Sequence, residues 1–203
     1  MVVRRHGDPL RLVLASASPA RLRLLREAGF DPEVIVSGVD EDAVSAPSVG
    51  ELVVMLATAK ATAVAARPEA AGAVVVGCDS MLDVDGEVHG KPASLDEARS
   101  RLQRLRGRSA ILRTGHCVIA ADVTVSDVAS TEVRFGDFSD EELEAYLATG
   151  EALHVAGSFT LDGRSAPFVD GIVGDHGNVI GLSLPLLRRL LGKLDLTVMD
   201  LWT

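Results

Sequence analysis

A chain of 203 residues with 47% apolar residues and only 3% aromatics can bury a full core as one large domain or two closely joined lobes. Its net charge of −9 argues against non-specific nucleic-acid binding, which rests on neutralising many phosphates with Lys and Arg. Any anionic ligand must therefore be met by a local cluster of cations.

At the start of the chain, Arg4 and Arg5 ahead of "LRLVLASASPA" imitate a signal peptide. Asp8, Pro9 and Arg11 interrupt it, leaving residues 12–17 as its longest apolar stretch. No apolar run approaches the length needed to span a bilayer, so no membrane association and a cytoplasmic location are expected. Residues 10–15 form a Leu/Val-rich run that predicts a buried strand. Ser18 as N-cap, Pro19 at the first position and Gly29 after the apolar stripe then predict a helix, placing residues 16–21 on a strand-to-helix turn.

A second strand is expected over residues 32–37, followed by the acidic loop "GVDEDAVSAPS". Ser48 with Glu51 announces a helix to about Arg67 that contains Lys60. Residues 73–78 predict the third strand, with Asp79 at its end. Asp85-Gly86 then turns a hairpin between residues 81–84 and 87–89. Ser94 with Glu97 opens a helix to about Leu105, closed by Gly107. Its Arg99, Arg101, Arg104, Arg106 and Arg108 read as a solvated basic face.

From Ser109 two long β runs join through a polar turn at Asp122 and predict antiparallel pairing. Ser139 with Glu142 starts a helix that ends at Gly150. Short strands at residues 159–161 and 168–173 precede a last helix over residues 184–191. The interleaving predicts an α/β chain with a mixed sheet and flanking helices, one domain over residues 1–203, in two lobes around a cleft.

Three pieces stand where strands meet helices, the usual place for ligands in such sheets. Ser16, Ser18 and Arg21 offer two hydroxyls and a cation at a helix start, either an anion site or an ordinary cap. Asp79, with Ser80 beside it, needs a partner, a metal or a cleft, since a carboxylate is costly to bury alone; it could equally cap a turn. Gly90-Lys91-Pro92 sets an ammonium on a stiffened bend. Among 17 arginines the chain keeps only three lysines, Lys60, Lys91 and Lys193, and a compact ammonium is a point charge suited to phosphate. The loop carboxylates Asp40 and Glu41 are natural Mg²⁺ or Mn²⁺ ligands if the substrate is a phosphate. The five histidines lack metal spacing, and Cys78 and Cys117 read as buried, reduced thiols. No "GxxxxGK[ST]", "GxGxxG" after the first strand, or "GxSxG" is present, which removes the commonest NTPase, dehydrogenase and esterase readings.

In order along the chain, "LVLASASPARLRLL", "VDED", "AKA", "VVVGCDSMLDVDGEVHGKP", "TGH", "AGSFTLDG" and "NVIGL" resemble the Maf family of nucleoside triphosphate pyrophosphatases, once named for inhibition of septum formation. The resemblance implies a Maf/inosine-triphosphatase-like fold, usually homodimeric, that cleaves a nucleoside triphosphate between its α and β phosphorus. It implies Asp79 as general base and as metal ligand with Glu41, and a divalent cation, Mg²⁺ or Mn²⁺. Ser16, Ser18, Arg21, Lys60 and Lys91 would hold the phosphates, and Ser80 and Asp162 would lie at or near the base. Ala20 stands where many members of the family have an arginine, Asp162 stands where the dTTP- and UTP-cleaving branch has a glutamine, and "AGSF" is nearer the branch acting on 7-methyl-GTP. A second class of function, a nucleotide-binding regulator of cell division that acts without catalysis, shares these binding elements.

Overall fold

The computed structural model describes residues 10–203; Arg4, Arg5, His6, Asp8 and Pro9 of the leader-like stretch lie outside the described residues. Seven strands form one mixed sheet, in the order β2(Glu33–Val34), β1(Leu12–Leu14), β3(Val74–Val84), β5(Ser109–Ala120), β6(Val123–Phe135) and β7(Val169–Val173). β4(Glu87–His89) pairs with the far end of β3. The β1–β2 and β1–β3 pairs are parallel, and the pairs from β3 through β7 are antiparallel. This is the mixed sheet with flanking helices expected from the interleaved pattern.

Helix starts follow the cap chemistry. Ser18, Ser48, Ser94 and Ser139 each accept a backbone N–H three residues on, opening α1(Pro19–Glu27), α2(Val49–Ala65), α3(Leu95–Leu105) and α4(Asp140–Leu147). At Ser139 the bond is reciprocated by Glu142 in a full capping box. α5(His176–Ile180) is a single unexpected turn capped by Asp175, and α6(Leu184–Gly192) closes the helical set.

The helix α2 lies directly on the sheet because two strand positions carry no side chain. A Cβ at Gly77 would stand 2.3 Å from the Ala57 carbonyl oxygen, and one at Gly115 2.1 Å from that of Val53. With Ala57 and Ala61 on the facing side, helix and sheet backbones meet closely.

Three expectations are corrected. The strand thought to end before Asp79 runs on to Val84, because residues 79–81 keep their ladder with Gly115, Thr114 and Arg113 of β5. Polar side chains do not stop a strand whose backbone stays paired. Residues 159–161 form no strand: the Ser165 hydroxyl takes the N–H of Thr160 and donates to its carbonyl. The basic face of α3 is not merely solvated. Arg99, Arg104, Arg106 and Arg108 each pair with a carboxylate, and Arg101 is buried.

β3 passes through three apolar clusters, contributing Val74, Val76 and Cys78 to one, Val75 to another, and Leu82 and Val84 to the third. Between them come Asp79 and Ser80, the polar interval of the strand.

Candidate active site

One edge of β3 is covered by β1 opposite Val74, Val75 and Val76, and by β4 opposite Leu82, Asp83 and Val84. Over residues 77–81 no strand among the described residues pairs on that side, which leaves a gap in the pairing of that edge. Side chains alternate along a strand, so Asp79 and Ser80 leave the gap toward opposite faces. Each meets a buried cation.

On the α2 face, Lys60 occupies a position in the buried stripe of Val53, Leu56, Ala57, Ala61 and Val64 where an apolar residue would ordinarily pack. Its Nζ lies 2.6 Å from Asp79 Oδ1 and 2.6 Å from Oε1 of Glu41, so the ammonium bridges the acidic loop and the strand. Asp79 is 4% exposed and its Oδ2 has no hydrogen-bond partner among the described residues. Burial pushes the Asp79 carboxyl above the ordinary carboxylate range, with Lys60 and Arg21 pulling the other way.

On the other face, the Arg21 guanidinium donates through Nε to the Gly181 carbonyl at 2.8 Å, through Nη1 to Ser16 Oγ at 2.9 Å and through Nη2 to Ser80 Oγ at 3.0 Å. Thr114 donates its hydroxyl proton to the Asn178 carbonyl at 3.0 Å. It is therefore the acceptor in its 2.9 Å contact with Ser80, which donates. Ser18 caps α1 through the Arg21 N–H, and its own N–H donates to Ser16 Oγ. The result is a pre-oriented arginine with two hydroxyls at a strand-to-helix turn.

His116, fully buried, fixes the frame behind this network. Its Nδ1 contacts the Thr114 carbonyl at 3.0 Å and its Nε2 accepts the Ser183 N–H at 2.8 Å. With Nε2 an acceptor, the proton sits on Nδ1, and burial lowers the imidazole to a pKa of about 4. Cys78 and Cys117 are free and buried, and burial pushes the Cys78 thiol up to about 12. The two pack in clusters on opposite faces of the sheet.

The structure thus joins Asp79, Lys60 and Glu41 in one ion cluster, and Ser16, Ser18, Arg21 and Ser80 in one hydrogen-bond network. Lys91 is exposed and pairs with none of the described residues. Asp162 binds Arg23 of α1 and the Thr160 hydroxyl, which commits both of its oxygens to the protein. Thr114 and Asn178 escaped sequence reasoning as site members: Thr114 was visible only within "TGH", and Asn178 within "NVIGL". A groove of about 720 Å³ lies elsewhere, lined by residues that include Pro47, Glu51, Met55 and Val128, and it shares no residue with either network.

Fold and site together define an α/β protein with fixed cations of two kinds flanking a buried carboxylate, an arrangement suited to a polyanionic ligand. The family described as Maf-like protein matches residues 11–194, and the chain belongs to it. It is 64% identical to a protein of Streptomyces coelicolor named nucleoside triphosphate pyrophosphatase, over 95% of this chain and 94% of that one. Proteins of the same name from Streptomyces avermitilis and Nocardia farcinica are 63% and 56% identical, covering 95% and 94% of this chain and 95% and 96% of theirs. Among solved structures, the Staphylococcus aureus Ham1 protein is 20% identical with a TM-score of 0.43, over 63% of this chain and 72% of that chain.

Proposed function

We propose that this chain hydrolyses nucleoside triphosphates between the α and β phosphorus, yielding a nucleoside monophosphate and pyrophosphate. The observation that carries the reading is the Asp79 carboxylate, buried with one oxygen on Lys60 and the other without a partner among the described residues, while the neighbouring Ser80 meets a pre-oriented arginine on the opposite face of the strand. The name that the relatives carry, nucleoside triphosphate pyrophosphatase, agrees with it.

In this reading Asp79 Oδ2 accepts a proton from a water molecule as its oxygen attacks the α phosphorus, and pyrophosphate departs. Arg21, Lys60 and Lys91 offset the charge that gathers on the leaving group, with Ser16 and Ser18 adding hydroxyl contacts. Fixed donors suit this task because they need no reorganisation as charge develops.

A divalent cation, Mg²⁺ or Mn²⁺, belongs to the same proposal. Among the described residues no group of three or more His, Cys, Asp or Glu could hold a metal unaided. Two carboxylates nevertheless converge on Lys60, and Oδ2 of Asp79 is an unused hard donor. A hard cation that keeps several waters and takes its other ligands from substrate phosphates needs no more, so the residues fit. Asp79 and Glu41 would hold it, and when bound it supplies positive charge to the triphosphate oxygens. A homodimer in the cytoplasm completes the proposal; no helix among the described residues is long and apolar enough to cross a membrane.

The test is pyrophosphate release by the purified chain with Mg²⁺ or Mn²⁺, across dTTP, UTP, CTP, GTP, ATP and 7-methyl-GTP. Pyrophosphate rather than orthophosphate is the expected product, and the panel reads out the base. Nucleotide binding without hydrolysis of any of the six would defeat the proposal.

A further inference from the structure

Residues 90–93 form a bend that its own backbone does not close. The Gly90 carbonyl and the Ala93 N–H, which would pair in a closed turn, both go elsewhere. Gly90 O accepts from Arg101 Nη1 at 2.6 Å and from the Gly157 N–H at 3.1 Å. The Ala93 N–H donates to Glu97 Oε2 at 2.8 Å. Glu97 and Arg101, four residues apart on α3, are joined by a 2.6 Å contact between Oε1 and Nη2.

One ion pair therefore grips both ends of the bend, and Lys91 stands between the gripped points. The Nη1 atom also lies 3.3 Å from Ser158 Oγ, tying the bend to the segment that follows Gly157. Ser158 holds a positive φ of 68° and its carbonyl accepts the Tyr146 hydroxyl at 3.1 Å. Arg101 is only 5% exposed. A buried guanidinium is costly unless its donors are used, and two of its three nitrogens are spent on this assembly while Nε has no partner among the described residues. A purely structural position among the buried Ala98, Leu102 and Leu105 of the same helix would be filled more cheaply by leucine or methionine.

The geometry points to Arg101 as a positioning residue that, through its pair with Glu97, holds the bend of residues 90–93 and presents the Lys91 ammonium to the substrate's phosphates. This role rests on Lys91 being a phosphate contact. A bend left to itself would let a four-carbon side chain sample a wide volume, and an ammonium fixed at its root loses less freedom when it binds. Arg101 is needed rather than Lys, because only a planar fork reaches the Gly90 carbonyl and the Glu97 carboxylate together.

The experiment compares the full-length chain with Arg101→Lys, Lys91→Ala and the double variant, reading kcat/KM for pyrophosphate release and amide hydrogen exchange. Arg101→Lys should lower kcat/KM by about tenfold in the otherwise unchanged chain and by less than about twofold when Lys91 is already Ala. The Ala93 amide should exchange about tenfold faster, while Val118 in the sheet centre keeps its protection. Glu97→Gln, at a half-exposed side chain, supplies a variant that folds even if Arg101→Lys does not, and it should show the same pair of effects. Equal losses with and without Lys91 would mean a merely structural arginine and would overturn the assignment, as would unchanged exchange at Ala93. Faster exchange at Ala93 together with an unimpaired Lys91→Ala enzyme would leave the grip real but remove Lys91 from the phosphate site, and the presenting role with it.

Discussion

Lys60 Nζ stands 2.6 Å from Oδ1 of Asp79, while the buried Oδ2 of the same carboxylate meets no partner among the described residues. One oxygen is held and the other is kept available, which is the division a general base requires. Asp79→Asn keeps the shape and removes the basic oxygen. It should lower kcat for pyrophosphate release by about 10²–10⁴-fold with a nearly unchanged thermal midpoint, read by enzyme assay and melting curve. A chain serving only as a nucleotide-binding regulator would keep its cellular effect in this variant, so complementation of a division phenotype separates the two classes.

The Lys60 ammonium has the complementary weakness. Lys60→Met leaves the Asp79 carboxylate buried without its partner and should cost roughly 3–5 kcal/mol in denaturant unfolding. Adding Asp79→Asn in the same chain should return most of that loss without restoring turnover. A simple sum of the two single effects would contradict the pairing seen here.

Gly77 and Gly115 set how near α2 comes to the sheet, and so where Lys60 is placed. Gly77→Ala brings a methyl to 2.3 Å from the Ala57 carbonyl oxygen, and the helix must retreat. A stability loss of about 1–3 kcal/mol is expected, accompanied by a drop in kcat larger than that of a comparably destabilising change on α6. Matched melting curves and kinetics make the comparison.

His116 gives the fold a pH dependence with a definite sign. In the unfolded chain its imidazole titrates near 6.5, and in the fold near 4, because burial disfavours the cation. Below the unfolded value only the unfolded chain takes up the proton. The neutral latch is thus fully stabilising above pH 6.5, and stability drains away as the pH falls toward 4, by roughly 3 kcal/mol in all. His116→Gln should flatten the urea-unfolding free energy over that window.

How far these features can be read in the sequence depends on how local their causes are. The caps at Ser18, Ser48, Ser94 and Ser139 are each decided within three residues, and those helix starts were legible. Lys60 was legible as a suspect from lysine scarcity, and its place in an apolar stripe is equally a one-dimensional signal. The continuity of β3 through Asp79 was not, because the partners that sustain it, Gly115 and Thr114, lie more than thirty residues away. Arg101 misled for the same reason: on α3 it is one arginine among several, and only the folded chain brings Gly90 and Ser158 to it. The loop at residues 159–161 looked β-like by composition, and a single serine hydroxyl further on decided otherwise.

The interrupted edge of β3 has a further consequence for the chain's behaviour at high concentration. An open strand edge invites another molecule to add a strand and begin a fibre, and long flat edges are the dangerous ones. Here the unpaired stretch spans residues 77–81, of which 77–79 are buried, and it is bounded by β1 on one side and β4 on the other. A foreign strand would collide with both before it could form a lasting ladder. A stretch so short and so covered cannot seed aggregation, so the chain can leave strand backbone unpaired at its site without becoming self-adhesive.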